Sequence, residues 1–295
     1  MKTGMMITLL TILATGHIFS QTALPKPLPV VPADGVAQLE GLIGTGLTAK
    51  PVKPRKVLVF SRCEGFVHGE GIVYGIKALE IAARTDAFSA TFTIDYAALT
   101  DKENLFSYDA VVLNNTTHLK AKDNPALVPN LIEFVTSGRG LCVIHAGADN
   151  FYDSPVAAEM VGGQFDGHPW TAGGTWAFKL DEPAHPLNRA FGGQGFRFGD
   201  EIYQQKSPFY DRAKLRVLVS LDLSDTKTAA AKGMKRADRD YAVSWIRPYG
   251  AGRVFYTSFA HDKRAFLNKA TLWHILDGLQ YTLGDLKADD TPCAK

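Results

Sequence analysis

The sequence predicts an α/β protein, a doubly wound and mostly parallel sheet that passes into a β-rich C-terminal extension. Three observations carry that prediction. Short continuous apolar runs at KVLVF (56–60), DAVVLNN (109–115) and GLCVIHAG (140–147) have the length of strands covered on both faces. Between them apolar residues recur at helical spacing, and a βαβα succession makes neighbouring strands parallel. After residue 150 the helical stretches give way to β-rich runs separated by Gly-Gly and Pro-Tyr-Gly turns, which favour antiparallel pairing.

Each element follows from its own pattern. KVLVF opens the folded body, and Ile72, Ile76, Leu79 and Ala83 share one face of a helix over 69–84. ATFTI (90–94) is the second strand and DAVVLNN the third. Leu127, Val128, Leu131, Ile132 and Val135 mark a helix ended by Gly138, and GLCVIHAG is the next strand. A short helix at 154–161 leads into glycine-rich QFDGHPWTAGGTWAFKL. FRFGDEIYQQ, LRVLVSLDL, YAVSWIRP and GRVFYTSFAH read as later strands, with RPYGAGRVFYTSF a hairpin. Leu272, Ile275, Leu279 and Leu283 line a closing helix. One domain over 56–286 is expected, with 287–295 as a tail.

The N-terminus is different in character. Residues 1–20 carry Lys2, an apolar run too short to span a bilayer, and a polar exit at Ser20–Gln21. They read as a signal peptide cleaved before Gln21, with Ala23 a competing site and an uncleaved anchor the alternative. Residues 21–55 contain PKPLPVVP and AKPVKPRK and read as an extended linker with room for one short helix at LEGLIG. The mature protein is thus expected to be exported, periplasmic or extracellular, with no stable membrane span after cleavage. With 32 basic and 30 acidic residues the net charge is +2, so nothing marks a nucleic-acid footprint or a polybasic membrane patch. Cys63, Cys142 and Cys293 make an odd count and no disulfide framework; a Cys63–Cys142 bridge is compatible with the sequence, but nothing in it requires one.

In open parallel sheets, ligands bind outside the carboxyl ends of the strands. The windows after the predicted strands hold His68, Asn115 with His118, His145, and His261; His168 lies in the glycine-rich loop QFDGHPW. His68 reads equally well as a water-facing residue at a helix N-terminus, and His118, His185 and His274 read as loop or structural residues. Asp200 and Glu201 are adjacent on an expected strand and point to opposite faces, so one of them enters a site; Glu201, sharing a face with Tyr203, is the candidate. Asp149 is placed either to orient the His145 ring or to cap the following helix. Cys142 precedes His145 by an odd offset, which sends the two to opposite faces of a strand, and its apolar flanks argue against an activated thiol.

The run VIHAGADNFYDSP, VGGQFDGHPW, HPLNRAF, FGDEIY and GRVFYTSFAHD resembles the ThuA-like (trehalose-utilisation) family, in order and over about 57–282. That family is similar in fold to the class I glutamine amidotransferases, so the resemblance implies a flavodoxin-like three-layer α/β/α sandwich. The amidotransferases carry G-x-C-x-G at this turn; here Ile144-His145-Ala146-Gly147 puts histidine at the cysteine position, and His261 is followed by Asp262 and Lys263 rather than by a His-x-Glu pair. Amidotransfer is therefore not carried over with the fold. The resemblance implies carbohydrate metabolism, including use of trehalose, related glycosides and keto-sugars, and its motif residues fall on His145, His168, His261 and Glu201. The family's R-x-x-H pattern is stretched here by CEGFV between Arg62 and His68.

Two chemistries suit these residues. His145, His168 and His261 are candidate ligands of a divalent, zinc-like metal, leaving a position open for water or sugar hydroxyls. Alternatively, His145, His261 and Glu201 carry metal-free acid–base catalysis at a carbon beside a carbonyl, as in isomerisation, elimination or hydrolysis of an oxidised sugar. Asn115, Asp149, His168 and Trp170 are the candidate contacts to a small carbohydrate, with Phe151, Tyr152, Trp170 and Trp176 the aromatics available for stacking. A carbohydrate-binding or accessory module without turnover is the rival to an enzyme.

Overall fold

A computed structural model of the chain describes residues 27–293; the leader expected over 1–20 and the first residues of the proline-rich segment lie outside the described residues. The elements in chain order are α1 (Ala33–Ile43), β1 (Lys56–Phe60), α2 (Gly69–Ala83), β2 (Ser89–Thr93), α3 (Ala97–Thr100), α4 (Lys102–Phe106), β3 (Ala110–Asn114), α5 (Leu127–Thr136), β4 (Gly140–Ile144) and α6 (Pro155–Val161). They continue with β5 (Trp176–Leu180), β6 (Phe196–Phe198), β7 (Arg216–Leu221), α7 (Thr226–Ala229), β8 (Ala242–Tyr249), β9 (Gly252–Thr257), α8 (Lys263–Leu267) and α9 (Lys269–Thr282).

The nine strands of the described residues form one sheet in the order β2-β1-β3-β4-β9-β8-β7-β5-β6. The first five are parallel, in the flavodoxin-like arrangement with β9 as fifth strand. The rest pair antiparallel, beginning with the β8–β9 hairpin. Period-two alternation divides the central strands between two cores. Val57, Val59, Ala110, Val112, Cys142 and Ile144 pack with α1, α2 and α9. Leu58, Phe60, Val111, Leu113, Leu141 and Val143 pack with α3 to α6. That is the three-layer sandwich.

Two expectations change. The short helix allowed for at LEGLIG within the 21–55 linker is part of α1, and the segment is docked rather than loose: α1 buries Leu39 and Ile43 in the first core, Trp273 donates to the Leu42 carbonyl, and Arg55 pairs with Asp285 at 2.5 Å. The prolines flank this helix rather than interrupt it, and its few apolar residues suffice because α2 and α8 offer an apolar surface to receive them. FRFGDEIYQQ is also not one strand. Only Phe196–Phe198 pairs with β5, and the chain then leaves the ladder, touching Trp170 and Phe165 through single bridges at Ile202 and Gln205.

His274 is structural. Fully buried on α9, its ring lies between the Leu187 carbonyl and the Ser244 hydroxyl, each at 2.7 Å, and burial lowers its pKa to about 4. The unfolded chain takes up this proton near pH 6.5 while the folded chain resists until about pH 4, so the stability it contributes is complete above pH 6.5 and lost as the pH falls through that window. Denaturant titrations should show a loss on the order of 3 kcal/mol attributable to this group, and the His274→Gln variant should lack that part of the acid limb. An unchanged acid limb would show that His274 does not control it.

Candidate functional site

The carboxyl ends of β3, β4 and β9 converge, and each leaves its strand through a non-glycine residue with positive φ: Asn115 at 54°, His145 at 48° and Ala260 at 90°. Such backbone is held only where the surroundings over-determine it, and it gathers at functional sites. The alternation used to separate Cys142 from His145 therefore stops at Ile144, because His145 begins a 3₁₀ turn. Cys142 is kept from the site by packing beside Ile144 in the core, where burial pushes its thiol pKa up. Cys63 and Cys142 are not bridged to each other: both thiols are buried, and Cys63 donates to the Asn115 carbonyl.

Around this convergence stand His68, His145, His261 and Glu201, with one potential ligand atom from each lying within 4.8 Å of the others. His68 ends the loop before α2. That helix comes close because a Cβ at Gly71 would lie 2.6 Å from the Ala260 carbonyl oxygen, and one at Gly75 would lie 2.4 Å from Asn114 Oδ1. The His68 ring lies edge-on to His145 and His261, with centroids 4.8 and 4.9 Å away. Glu201 Oε1 is 3.8 Å from His145 Nε2 and 3.3 Å from His261 Nδ1. Asp200 stands beneath the cluster. Its fully buried carboxylate, its pKa pushed up to about 7 by burial, accepts from the amides of Ala260 at 2.8 Å and His261 at 3.2 Å and so fixes the loop carrying His261.

The protonation pattern is that of a ligand set. His145 Nδ1 donates to the Ser258 carbonyl at 2.6 Å, which leaves the Nε2 lone pair free; this outer hydrogen bond is the usual means of orienting a ligating imidazole. His68 Nε2 lies 3.5 Å from the Tyr203 hydroxyl. Burial, reinforced by the neighbouring histidines, lowers the pKa of His68 to about 3 and that of His145 well below its ordinary value, so both rings are neutral at pH 7. Burial also works to lower His261, but Glu201 outweighs it and the net shift is upward. His68 Nδ1 and His145 Nε2 are buried without a hydrogen-bond partner, and His261 Nδ1 faces only Glu201 Oε1, at 3.3 Å but out of line for a hydrogen bond. Leaving a buried polar atom unsatisfied costs about 1–3 kcal/mol, and a cation among these three nitrogens and one carboxylate would satisfy them together. Four donors at about 2.0–2.1 Å in a tetrahedron lie about 3.3 Å from one another, so the cluster, whose ligand atoms lie within 4.8 Å of each other, would draw in by about 1.5 Å at its widest around an ion.

The other sequence candidates fall elsewhere. His168 is a neighbour of the cluster rather than one of its four members: half-exposed beside Gly167, it places Nδ1 3.4 Å from Glu201 Oε2. His68, which the sequence left open, takes the place expected of it. Asp149 neither orients His145 nor caps α6; it accepts from Tyr152 and lies 3.3 Å from His118 Nε2, while Ser258 does the orienting. Asn115 is buried beneath the site, where its Nδ2 donates to the Ala260 carbonyl. Trp170 is corrected outright. At 0% exposure, with Nε1 donating to the Thr228 carbonyl, it has no face for a sugar. Phe151 and Trp176 are buried as well. The local signal for His68 was present in HGEGIVYG, where Gly71 and Gly75 lie one helical turn apart and let α2 approach the strand ends.

The fold recurs in solved structures. A ThuA-like protein from Bacteroides uniformis is 19% identical, with a TM-score of 0.63 over 80% of this chain and 95% of that one. A ThuA-like protein from Parabacteroides merdae is 18% identical, with a TM-score of 0.58 over 78% and 90%. A cytoplasmic protein from Salmonella typhimurium is 16% identical, with a TM-score of 0.50 over 77% and 99%. No curated protein sequence matches the chain. The sequence profile of the ThuA family, described as trehalose utilisation, matches residues 56–282, and the chain belongs to that family.

Proposed function

We propose that the chain is a metal-dependent enzyme of carbohydrate metabolism that acts on a sugar, glycoside or keto-sugar, with His68, His145, His261 and Glu201 holding a divalent cation. The observation that carries this reading is the set of three buried histidine nitrogens, none of them hydrogen-bonded, around one carboxylate. Neutral imidazoles with one carboxylate suit zinc and its first-row neighbours. When bound, such an ion supplies Lewis-acid polarisation of a carbonyl or adjacent hydroxyls and ionises a bound water.

The chain's own residues do the rest. The Ser258 carbonyl fixes the His145 tautomer, and Asp200 holds the backbone under His261. His168, half-exposed and in reach of Glu201 Oε2, is positioned to carry a proton between solvent and the site. No step passes through a thiol, because Cys63 and Cys142 are buried and Cys63 is pushed up to about 11 by burial. The raised pKa of His261 favours a second reading, metal-free proton transfer by His261 and Glu201. A protein that binds sugar without converting it would be an accessory module instead.

Metal analysis of protein purified without chelators should find about one divalent ion per chain. Chelation should lower the thermal midpoint and added zinc should restore it, since a ligand bound only by the folded state stabilises it. A metal-free preparation whose midpoint ignores both treatments sinks the metal reading. Export is part of the proposal, supported by Lys2 and the short apolar run that follows. Sequencing the mature N-terminus should begin near Gln21; an intact Met1 in the cytosolic fraction would refute export. No helix among the described residues is long and apolar enough to cross a membrane.

A further inference from the structure

We propose that Phe66 is a saccharide-stacking platform at the mouth of the histidine cluster, on which the C–H face of a pyranose ring lies while its polar edge meets His261 and Glu201. The substrate class rests on the function proposed above; the residue and the contact go beyond it. Phe66 is 66% exposed, although removing a phenyl ring from water is favourable. Its ring is edge-on to His68 with centroids 4.7 Å apart, and nearly parallel to His261 at 6.5 Å and 20°. It therefore touches two of the four cluster residues from the solvent side.

The loop that carries Phe66 is pinned. Glu64 N donates to the Thr117 carbonyl at 2.8 Å, Gly65 N donates to Thr117 Oγ1, and Thr117 Oγ1 donates to the Phe66 carbonyl at 2.9 Å. The backbone beneath the exposed ring is thus fixed to the end of β3, which lowers the cost of presenting that ring to a ligand. Other aromatics are less suited to the task. Phe151, Trp170 and Trp176 are buried, and Tyr152 has its hydroxyl committed to Asp149. A sugar ring offers an apolar C–H face and a polar rim. A fixed aromatic beside polar side chains is complementary to both.

The test is saturation-transfer-difference NMR on the full chain purified without chelators, using trehalose and methyl α-glucopyranoside as probes and sorbitol as an open-chain control. Metal content is measured on the same samples. The wild type should transfer saturation to the ring C–H protons of both pyranosides and to sorbitol weakly or not at all. Phe66→Ala should bind the pyranosides about tenfold more weakly with unchanged metal content, and Phe66→Trp should restore binding. Because the side chain is exposed, its truncation leaves the core intact. Pyranoside binding that is equal in wild type and Phe66→Ala overturns the platform, as does a wild type that binds neither pyranoside. Phe66-dependent binding in a metal-free protein would keep the platform and refute the metal centre; Phe66-independent binding in a metal-loaded protein would do the reverse.

Discussion

Replacing His145 with alanine is expected to empty the proposed metal centre and abolish the proposed turnover while leaving the far-UV spectrum unchanged. The ring is fully buried, with one nitrogen donating to the Ser258 carbonyl and the other without a partner in the cluster. Loss of outer hydrogen bonds to metal ligands alone commonly costs 10–100-fold in affinity, so removal of a ligand should cost at least about 100-fold. The stability of the metal-free protein should change less. The cavity left by the ring is destabilising, but the variant no longer buries an unsatisfied nitrogen. Metal content by mass spectrometry, with circular dichroism on the same sample, checks both halves. His168→Ala is the contrasting variant and should keep its metal while turning over more slowly. Wild-type metal content in His145→Ala would remove this residue from the ligand set.

Gly71→Ala should damage the site from outside it. The new Cβ would meet two carbonyl oxygens, those of Ala260 at 2.6 Å and His261 at 2.8 Å, and Asn115 Nδ2 at 3.0 Å. Backbone oxygens cannot swing aside as a flexible side chain can, so α2 and the 260–261 loop must separate. Overpacking of this kind costs about 1–3 kcal/mol, and here the strain falls between the elements that carry His68 and His261. A lower denaturation midpoint should accompany a metal affinity reduced about 10–100-fold. Ala at Gly41, whose added Cβ has nothing within 4 Å, is the control and should do neither. Wild-type metal binding by Gly71→Ala would mean that this close approach does not set the geometry.

Much of the sheet was legible because burial on both faces writes itself into composition. KVLVF became β1 at 56–60, and the runs around 110–114 and 140–144 became β3 and β4, buried at every position. The β8–β9 hairpin was equally plain, since RPYGAGR places its turn between two apolar runs. The site was legible only in part. His145 and His261 follow β4 and β9, and strand ends on one side of a parallel sheet must meet; Glu201 lies beyond β6 in the antiparallel extension and was reached from its face shared with Tyr203. The partners of these residues were hidden. His68 follows the first strand and its HGEGIVYG run lets α2 come close, but no period says which way its ring turns, and none pairs Asp149 with His118 and Tyr152. Trp170 in its glycine-rich loop looked accessible, yet it fills the core against Tyr241.

By itself the sequence determined the layers, the parallel core and the antiparallel extension. Those features depend on local periodicity and burial, which neighbouring residues encode together. Only the tertiary structure decided that His68 rather than His168 joins the cluster, that α1 docks on α2 and α8, and that Phe66 faces solvent beside the histidines. Each depends on how closely two distant segments approach, and that distance is set by steric fit at positions such as Gly71 and Gly75 rather than by any pattern along the chain.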